Sequence, residues 1–376
     1  MKELGLYIHI PFCRSKCKYC DFCSFPNRTE ADFEAYVEAL CLDLRARAAD
    51  CRDYLVDTVY FGGGTPTVLS WWLLEKILKT VFDCYRVAEN AEITSECNPK
   101  TGDARLFREM RKMGFNRLSI GLQSTHGREL RTLGRIHSFA DFGQSFRDAR
   151  AAGFENINAD LMSGIPHQTS ESYLESIDRL CDFAPEHISA YSLIVEEGTP
   201  FGDMGGRLLL PSEDVEEEMY FRGAERLLAH GYRQYEISNF AKEGYESRHN
   251  LRYWDCKEFL GFGPAAYSDF GGERFGNSRD VDAYIRGESI LTDRERPTRN
   301  QRMNEYVMLR MRLAAGVDYA EFERHFGRRF EDCFGDGLRR YRESDLLTFS
   351  EGRVAFTPKG MRVSNAILSE LLDFGE

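Results

Sequence analysis

The chain has 376 residues, 42% of them apolar and 29% charged, with a formal net charge of −12. That composition describes a folded chain of one large unit and a smaller one, and the acidic excess excludes general nucleic-acid binding, which needs a basic footprint. No run approaches the roughly 18 apolar residues of a membrane-spanning helix, which leaves only peripheral membrane contact open.

The start, Met1-Lys-Glu-Leu-Gly-Leu-Tyr-Ile-His-Ile-Pro11, lacks the apolar core and cleavage site of a signal peptide. Residues 5–10 are a short buried strand ending at Pro11. Residues 29–49 carry Phe33, Tyr36, Val37, Leu40 and Leu44 on one helical face. A strand at 57–61 runs into Gly62-Gly63-Gly64-Thr65-Pro66, and Ser70 is placed to cap a helix through residue 85. The alternation continues with strand 92–96, helix 104–113, strand 117–123, helix 139–152, strand 156–162, helix 171–183, strand 187–195, helix 214–230 and a further strand at 234–238. Strands that alternate with helices imply an α/β fold whose parallel sheet has helices on its outer face, curling into a barrel or partial barrel. Chemistry in such folds sits at the C-terminal ends of the strands. The cysteine loop, the triple glycine, Glu96, Gln123 and Asp160 all fall there.

Past Ala241 the alternation stops, and 249–277, rich in aromatics and glycine, is predicted to be irregular. Helices at 299–313, 319–326 and 333–344 precede two short strands, 346–349 and 354–357, around the Glu351-Gly352 turn, with a last helix at 359–372. Helices followed by a two-stranded wing make a winged-helix-like α+β module. The expected division is 1–240, a connecting region 241–298, and 299–376. The arginines between Arg294 and Arg342 are expected on a solvated, ion-paired face, because phosphate binding needs a positive field.

Four of the eleven cysteines lie in one short loop: Cys13, Cys17, Cys20 and Cys23. Thiolates this close hold metal or an iron–sulfur cluster. A zinc knuckle of all four is the competing arrangement, although structural zinc sites usually draw pairs from separate segments. The other seven cysteines are scattered, as expected of buried thiols in a reducing cytoplasm.

C-x3-C-x2-C with an aromatic before the last cysteine resembles the signature of the radical S-adenosylmethionine (radical SAM) enzymes. The resemblance implies a partial (β/α)6 barrel and a 4Fe–4S cluster on Cys13, Cys17 and Cys20, with one iron left open for the amino and carboxylate groups of SAM. It further implies SAM contacts from Gly63, Gly64 and Thr65, Glu96 in Ser-Glu-Cys-Asn-Pro, Gln123, Arg135 and Asp160, with Tyr7 and Tyr19 flanking the loop. Read singly, each of these is more ordinary: a tight turn, a cap, a surface pair.

The runs Ser119-Ile-Gly-Leu-Gln-Ser124, Asp160-Leu-Met-Ser-Gly-Ile-Pro166 and His187-Ile-Ser-Ala-Tyr191 narrow the resemblance to the oxygen-independent coproporphyrinogen III oxidase family. Glu196-Glu-Gly-Thr-Pro200, Tyr235-Glu-Ile-Ser-Asn-Phe240 and His249-Asn-Leu-Arg-Tyr-Trp254 resemble its haem-chaperone branch. Two departures separate the chain from the oxidase: Phe22 stands where the oxidase has a further cysteine, and only twelve residues precede Cys13. Cys23 is expected to be no ligand. The branch implies haem contact by His249, Tyr253 and Trp254, with an imidazole for iron and aromatic rings for the porphyrin face. Read alone, His249 is a loop-bonding histidine and the aromatics pack. Tyr267 replaces a histidine frequent in relatives. The expectation is a cytoplasmic haem chaperone with an acceptor protein that the sequence does not name; the alternative is a radical enzyme that decarboxylates porphyrinogen propionates.

Overall fold

The computed structural model describes residues 1–372. Six parallel strands lie side by side in chain order: β1 (Lys2–Ile10), β2 (Tyr54–Gly63), β3 (Val87–Cys97), β4 (Arg117–Gln123), β5 (Asn156–Ser163) and β6 (His187–Ser192). They alternate with α1 (Glu30–Arg47), α2 (Trp71–Cys84), α3 (Ala104–Met113), α4 (Gly127–Leu133), α5 (Phe139–Ala151), α6 (Ser170–Cys181), α7 (Pro200–Met204) and α8 (Glu213–Ala229). The result is the expected partial (β/α)6 barrel.

The two-residue period of each strand sorts its side chains. Along β4, Leu118, Ile120 and Leu122 are fully buried, with Leu118, Ile120 and Leu122 in the main apolar core. Ser119, Gly121 and Gln123 face the lumen, where they line a cavity. Thr29, Ser138 and Thr169 begin α1, α5 and α6 with reciprocal capping boxes, so these helix starts are locally encoded. Ser70 occupies the capping position of α2, but its side chain makes no capping bond.

The sheet does not end with the six strands. β7 (Arg233–Gln234) and β8 (Asn239–Ala241) form a hairpin antiparallel to β6, so the strand predicted at 234–238 is instead the turn between two shorter ones. On the other side, β9 (Phe259–Phe262) pairs parallel to β1, with Gly5 opposite Phe259, and β10 (Tyr267–Phe270), β11 (Glu273–Asn277) and β12 (Leu291–Glu295) follow antiparallel. The segment 249–277 is therefore ordered, contrary to the sequence expectation, and begins with helix α9 (Arg248–Trp254). Strands of four or five residues broken by glycine carry little local signal; pairing onto the distant β1 supplies their order. Val281, Ala283, Tyr284 and Ile290, around α10 (Val281–Ile285), belong to the barrel's apolar core.

The remainder comprises α11 (Arg299–Arg310), β13 (Val317–Asp318), α12 (Tyr319–Phe326), α13 (Phe330–Arg339), β14 (Leu347–Ser350), β15 (Arg353–Phe356), α14 (Pro358–Arg362) and α15 (Ser364–Leu371). It has its own apolar core. The expected two-stranded wing gains a third strand, in the order β13-β15-β14, and the expected last helix is two helices broken at Val363. Among the described residues no helix is long and apolar enough to cross a membrane.

Candidate functional site

The cysteine loop leaves β1 at Pro11 and is pinned at several points. Phe25 N–H donates to the Pro11 carbonyl (2.8 Å), Lys18 N–H to Leu133 at the end of α4 (3.0 Å), and Phe201 N–H to Lys18 (3.0 Å). α4, which the sequence reading missed, is thus the support on which the loop rests. Cys13, Cys17 and Cys20 are half-buried and line one cavity of about 130 Å³ with Gly63, Gly64, Glu96, Gln123, Arg135 and Asp160. Tyr19 lines it as well.

Cys23 stands apart: it is buried, with its Sγ 3.7 Å from the Arg279 carbonyl. Among the described residues no three His, Cys, Asp or Glu side chains converge as they would around a single metal ion. Cys23 does not line the cavity that the other three share. Three sulfurs spread around a cavity suit a cluster, in which each thiolate takes a different iron and one iron is left without a protein ligand. Burial pushes the Cys13 and Cys20 thiols up, so a metal bound at these positions would displace protons.

The triple glycine serves packing as much as any ligand. Gly63 has φ +104°, and a Cβ there would stand 2.4 Å from the His9 ring; at Gly64 it would stand 2.5 Å from the Phe12 carbonyl oxygen. The turn must therefore press directly on β1 and the start of the cysteine loop. Gly63 N–H then donates to Glu96 Oε2 (3.1 Å), and the Tyr60 hydroxyl donates to Oε1 (2.9 Å). Burial raises the Glu96 carboxyl to about 7, partly offset by those two bonds. A cation reaching Glu96 would favour its ionised form.

Across the cavity, Gln123 adopts φ +71° where the β4–β5 register slips, and its Oε1 accepts from the Tyr191 hydroxyl (2.8 Å). Asp160 accepts from Asn158 Nδ2 (2.7 Å), and burial raises its carboxyl too. Arg135 reaches over from beyond α4, donating to Cys17 Sγ (3.6 Å), Asn98 Oδ1 (2.5 Å) and the Gly121 carbonyl (2.6 Å). Tyr191, Asn98 and Ser119 line the cavity without having been singled out from the sequence.

Two residues expected at SAM lie behind the cavity wall. The Tyr7 hydroxyl bonds His9 Nδ1 (3.0 Å), and His9 Nε2 lies 2.8 Å from the Cys23 carbonyl, so this pair braces the loop. Thr65 is 2% exposed, with its hydroxyl 3.4 Å from Cys13 Sγ and accepting from Asn98 Nδ2 (2.7 Å).

The expected haem residues lie elsewhere. His249 is on α9, which closes the opposite, N-terminal end of the barrel. Its Nδ1 is 2.8 Å from Thr58 Oγ1, a residue roughly 16 Å along β2 from Gly63. Its Nε2 is 2.8 Å from the Tyr253 hydroxyl. The ring is 1% exposed and stacks on Tyr60 at 5.1 Å; burial holds it neutral, with its pKa lowered to about 3. In this arrangement both ring nitrogens of His249 are hydrogen-bonded within the chain. Tyr253 packs edge-on against Phe259 (4.6 Å), and Trp254 is half-buried on the last turn.

Comparison with known proteins agrees with the architecture. A model of the radical SAM superfamily matches residues 7–180, and a model of the HemN C-terminal domain matches residues 298–363. The chain is 36% identical to a Bacillus subtilis protein named heme chaperone HemW, over 97% of this chain and 98% of that one. A protein of the same name from Lactococcus lactis is 32% identical, over 99% and 98%, and one from Escherichia coli is 35% identical, over 87% of each. Among solved structures, coproporphyrinogen III oxidase (HemN) from Escherichia coli, described as a radical SAM enzyme, superposes with a TM-score of 0.88 at 23% identity, covering 100% of this chain and 91% of that one.

Proposed function

The chain belongs to the HemW family within the radical SAM superfamily, and from that premise we propose that it is a haem carrier that binds haem and hands it to an acceptor protein. The observation that carries the reading is its similarity, over nearly its whole length, to proteins named heme chaperones. Phe22, 67% exposed at the rim of the cavity, stands where the oxidase has a further cysteine, which speaks against the oxidase reading.

In this reading Cys13, Cys17 and Cys20 hold three irons of a 4Fe–4S cluster. Gly63 and Glu96 face the amino group of SAM, and Gln123, Arg135 and Asp160 take its other polar groups. The cluster, when bound, supplies one iron open to an external ligand. The chain's own contribution is a pre-shaped wall: Glu96 is held by Tyr60 and Gly63, and Gln123 by Tyr191, before any ligand arrives.

Equilibrium titration with haem, run beside an assay of coproporphyrinogen decarboxylation with SAM and dithionite, tests the reading. One haem per chain and no decarboxylation is the expected result. Turnover of the porphyrinogen would replace the carrier by the oxidase.

A further inference from the structure

Between the cysteine loop and the strand ends lies a web of hydrogen bonds centred on Asn98, the first residue past β3. Its backbone is fixed by Thr101: Asn98 N–H donates to Thr101 Oγ1 (3.2 Å), and the Thr101 hydroxyl donates back to the Asn98 carbonyl (2.6 Å). Its side chain lies between Arg135 and Thr65. Gly121 on the lumen face of β4 makes room for this, since a Cβ there would stand 2.8 Å from both Asn98 Oδ1 and Arg135 Nη2.

Arg135 sets the direction of every bond in the web, because a guanidinium donates and cannot accept. Its Nη2 donates to Asn98 (2.5 Å), so the atom facing it is Oδ1, and Nδ2 is turned to Thr65. Nδ2 donates to Thr65 Oγ1 (2.7 Å). An amide nitrogen accepts nothing, so the Thr65 proton cannot point back at Asn98. It is directed instead to Cys13 Sγ, 3.4 Å away. Arg135 Nη1 meanwhile donates to Cys17 Sγ (3.6 Å). One guanidinium thus supplies a donor to two of the three thiols, directly to Cys17 and through Asn98 and Thr65 to Cys13. Its bonds to Cys17, Asn98 and the Gly121 carbonyl leave two of the five N–H groups for an external ligand.

We infer that Asn98 is a positioning residue for the cluster: by turning the Thr65 hydroxyl to Cys13 and holding Arg135 on Cys17, it aims a hydrogen bond at two of the three ligand sulfurs and raises the reduction potential. This role rests on the reading of Cys13, Cys17 and Cys20 as cluster ligands. Reduction adds negative charge that the sulfurs share, and a donor aimed at a sulfur stabilises the more negative state. Partners of the ligands tune a metal site in this way without touching the metal.

The test is anaerobic reconstitution of the full chain and its variants, iron and sulfide analysis, and a reduction titration followed by electron paramagnetic resonance at matched iron content. Thr65→Val removes one hydroxyl at nearly constant volume. It should shift the reduction equilibrium about tenfold towards the oxidised form, a potential about 59 mV lower for one electron. Asn98→Ala, which frees both arms of the web, should shift it at least as far. Thr65→Ser keeps the hydroxyl and should stay within about threefold of the unaltered chain. A purely structural role would change iron content or the unfolding midpoint and leave the potential where it was. Equal potentials in the unaltered chain, Thr65→Val and Asn98→Ala overturn the inference, and a shift in Thr65→Val with none in Asn98→Ala removes Asn98 from the role. Failure of Thr65→Val to hold iron where Thr65→Ser holds it also overturns it, because the hydroxyl would then serve loading and not potential. Should Asn98→Ala alone fail to load, Thr65→Val decides. If the unaltered chain takes up no cluster, the cluster reading itself falls.

Discussion

At the C-terminal end of the barrel, three thiols, Glu96 and Asp160 face a cavity, and burial leaves both carboxyls poised for a cation. At the N-terminal end, the imidazole of the other polar motif is bonded through both nitrogens and most of its other groups are engaged within the chain, Arg252 Nε being buried without a partner. Glu92 accepts from Arg248 N–H and His249 N–H at the start of α9 (3.0 Å each), where a carboxylate also complements the helix dipole. Arg252 pairs with Asp57 and donates to the Glu258 carbonyl (3.1 Å). Gly5 makes room for that guanidinium, since a Cβ there would stand 2.5 Å from Arg252 Cδ. At the far end of α9, Asp255 pairs with Arg310, which also holds Glu321 (3.1 Å) and so ties the plug to the C-terminal module. The contrast teaches that a cluster of polar and aromatic residues is a site only where its partners are missing. At the floor of this barrel it is a plug.

The sharpest way to break that contrast is at the mouth. Replacing Cys13, Cys17 or Cys20 by Ser should abolish the brown cluster of about four irons after anaerobic reconstitution, while Cys23→Ser should retain it. Iron and sulfide analysis decides; loss of iron in the Cys23 variant would make the fourth thiol a ligand.

At the floor the currency is stability. Asp57→Asn leaves the nearly inaccessible Arg252 side chain without its counter-charge and should cost about 3–5 kcal/mol in urea unfolding. His249→Ala strands Thr58 Oγ1 and the Tyr253 hydroxyl and should cost about 2 kcal/mol. A large loss of haem affinity without loss of stability would reverse the assignment of α9 as a plug.

The effect that is smallest per pH unit has opposite signs at the two ends. Glu96 has a raised folded-state pKa of about 7 against 4.5, so the folded chain keeps this proton longer than the unfolded one. Its contribution is present below 4.5 and is lost as pH rises towards 7, by at most about 1.4 kcal/mol per pH unit. His249 has a lowered pKa, about 3 against 6.5, so its contribution is present above 6.5 and is lost as pH falls towards 3. Urea midpoints of the cluster-free chain should therefore lose the pH dependence between 4.5 and 7 in Glu96→Gln, and that between 3 and 6.5 in His249→Ala. Identical pH profiles for the two variants would remove the distinction.

Much of the barrel was legible because its signals are local. Helix starts at Thr29, Ser138 and Thr169 carry their own capping residues, and β4 shows its two-residue period within seven residues. β9 to β11 were not legible: they are short, contain Gly261 and Gly276, and owe their order to β1. At the mouth, Glu96, Gln123 and Asp160 were placed by strand-end position, and Arg135 by the family resemblance alone; all four line the cavity. Tyr7 and Thr65 stand at similar positions, but their side chains turn to His9 and Cys13.

By itself the sequence determined the alternation of strands and helices and the three-thiol spacing, because period and spacing are properties of contiguous residues. Which polar groups remain open was decided only by the tertiary structure. The state of His249 depends on Thr58, 191 residues earlier in the chain, and that of Cys23 on Arg279, 256 residues later. Hydrogen bonds saturate, so a donor or acceptor is available to a ligand only if the fold has brought it no partner first.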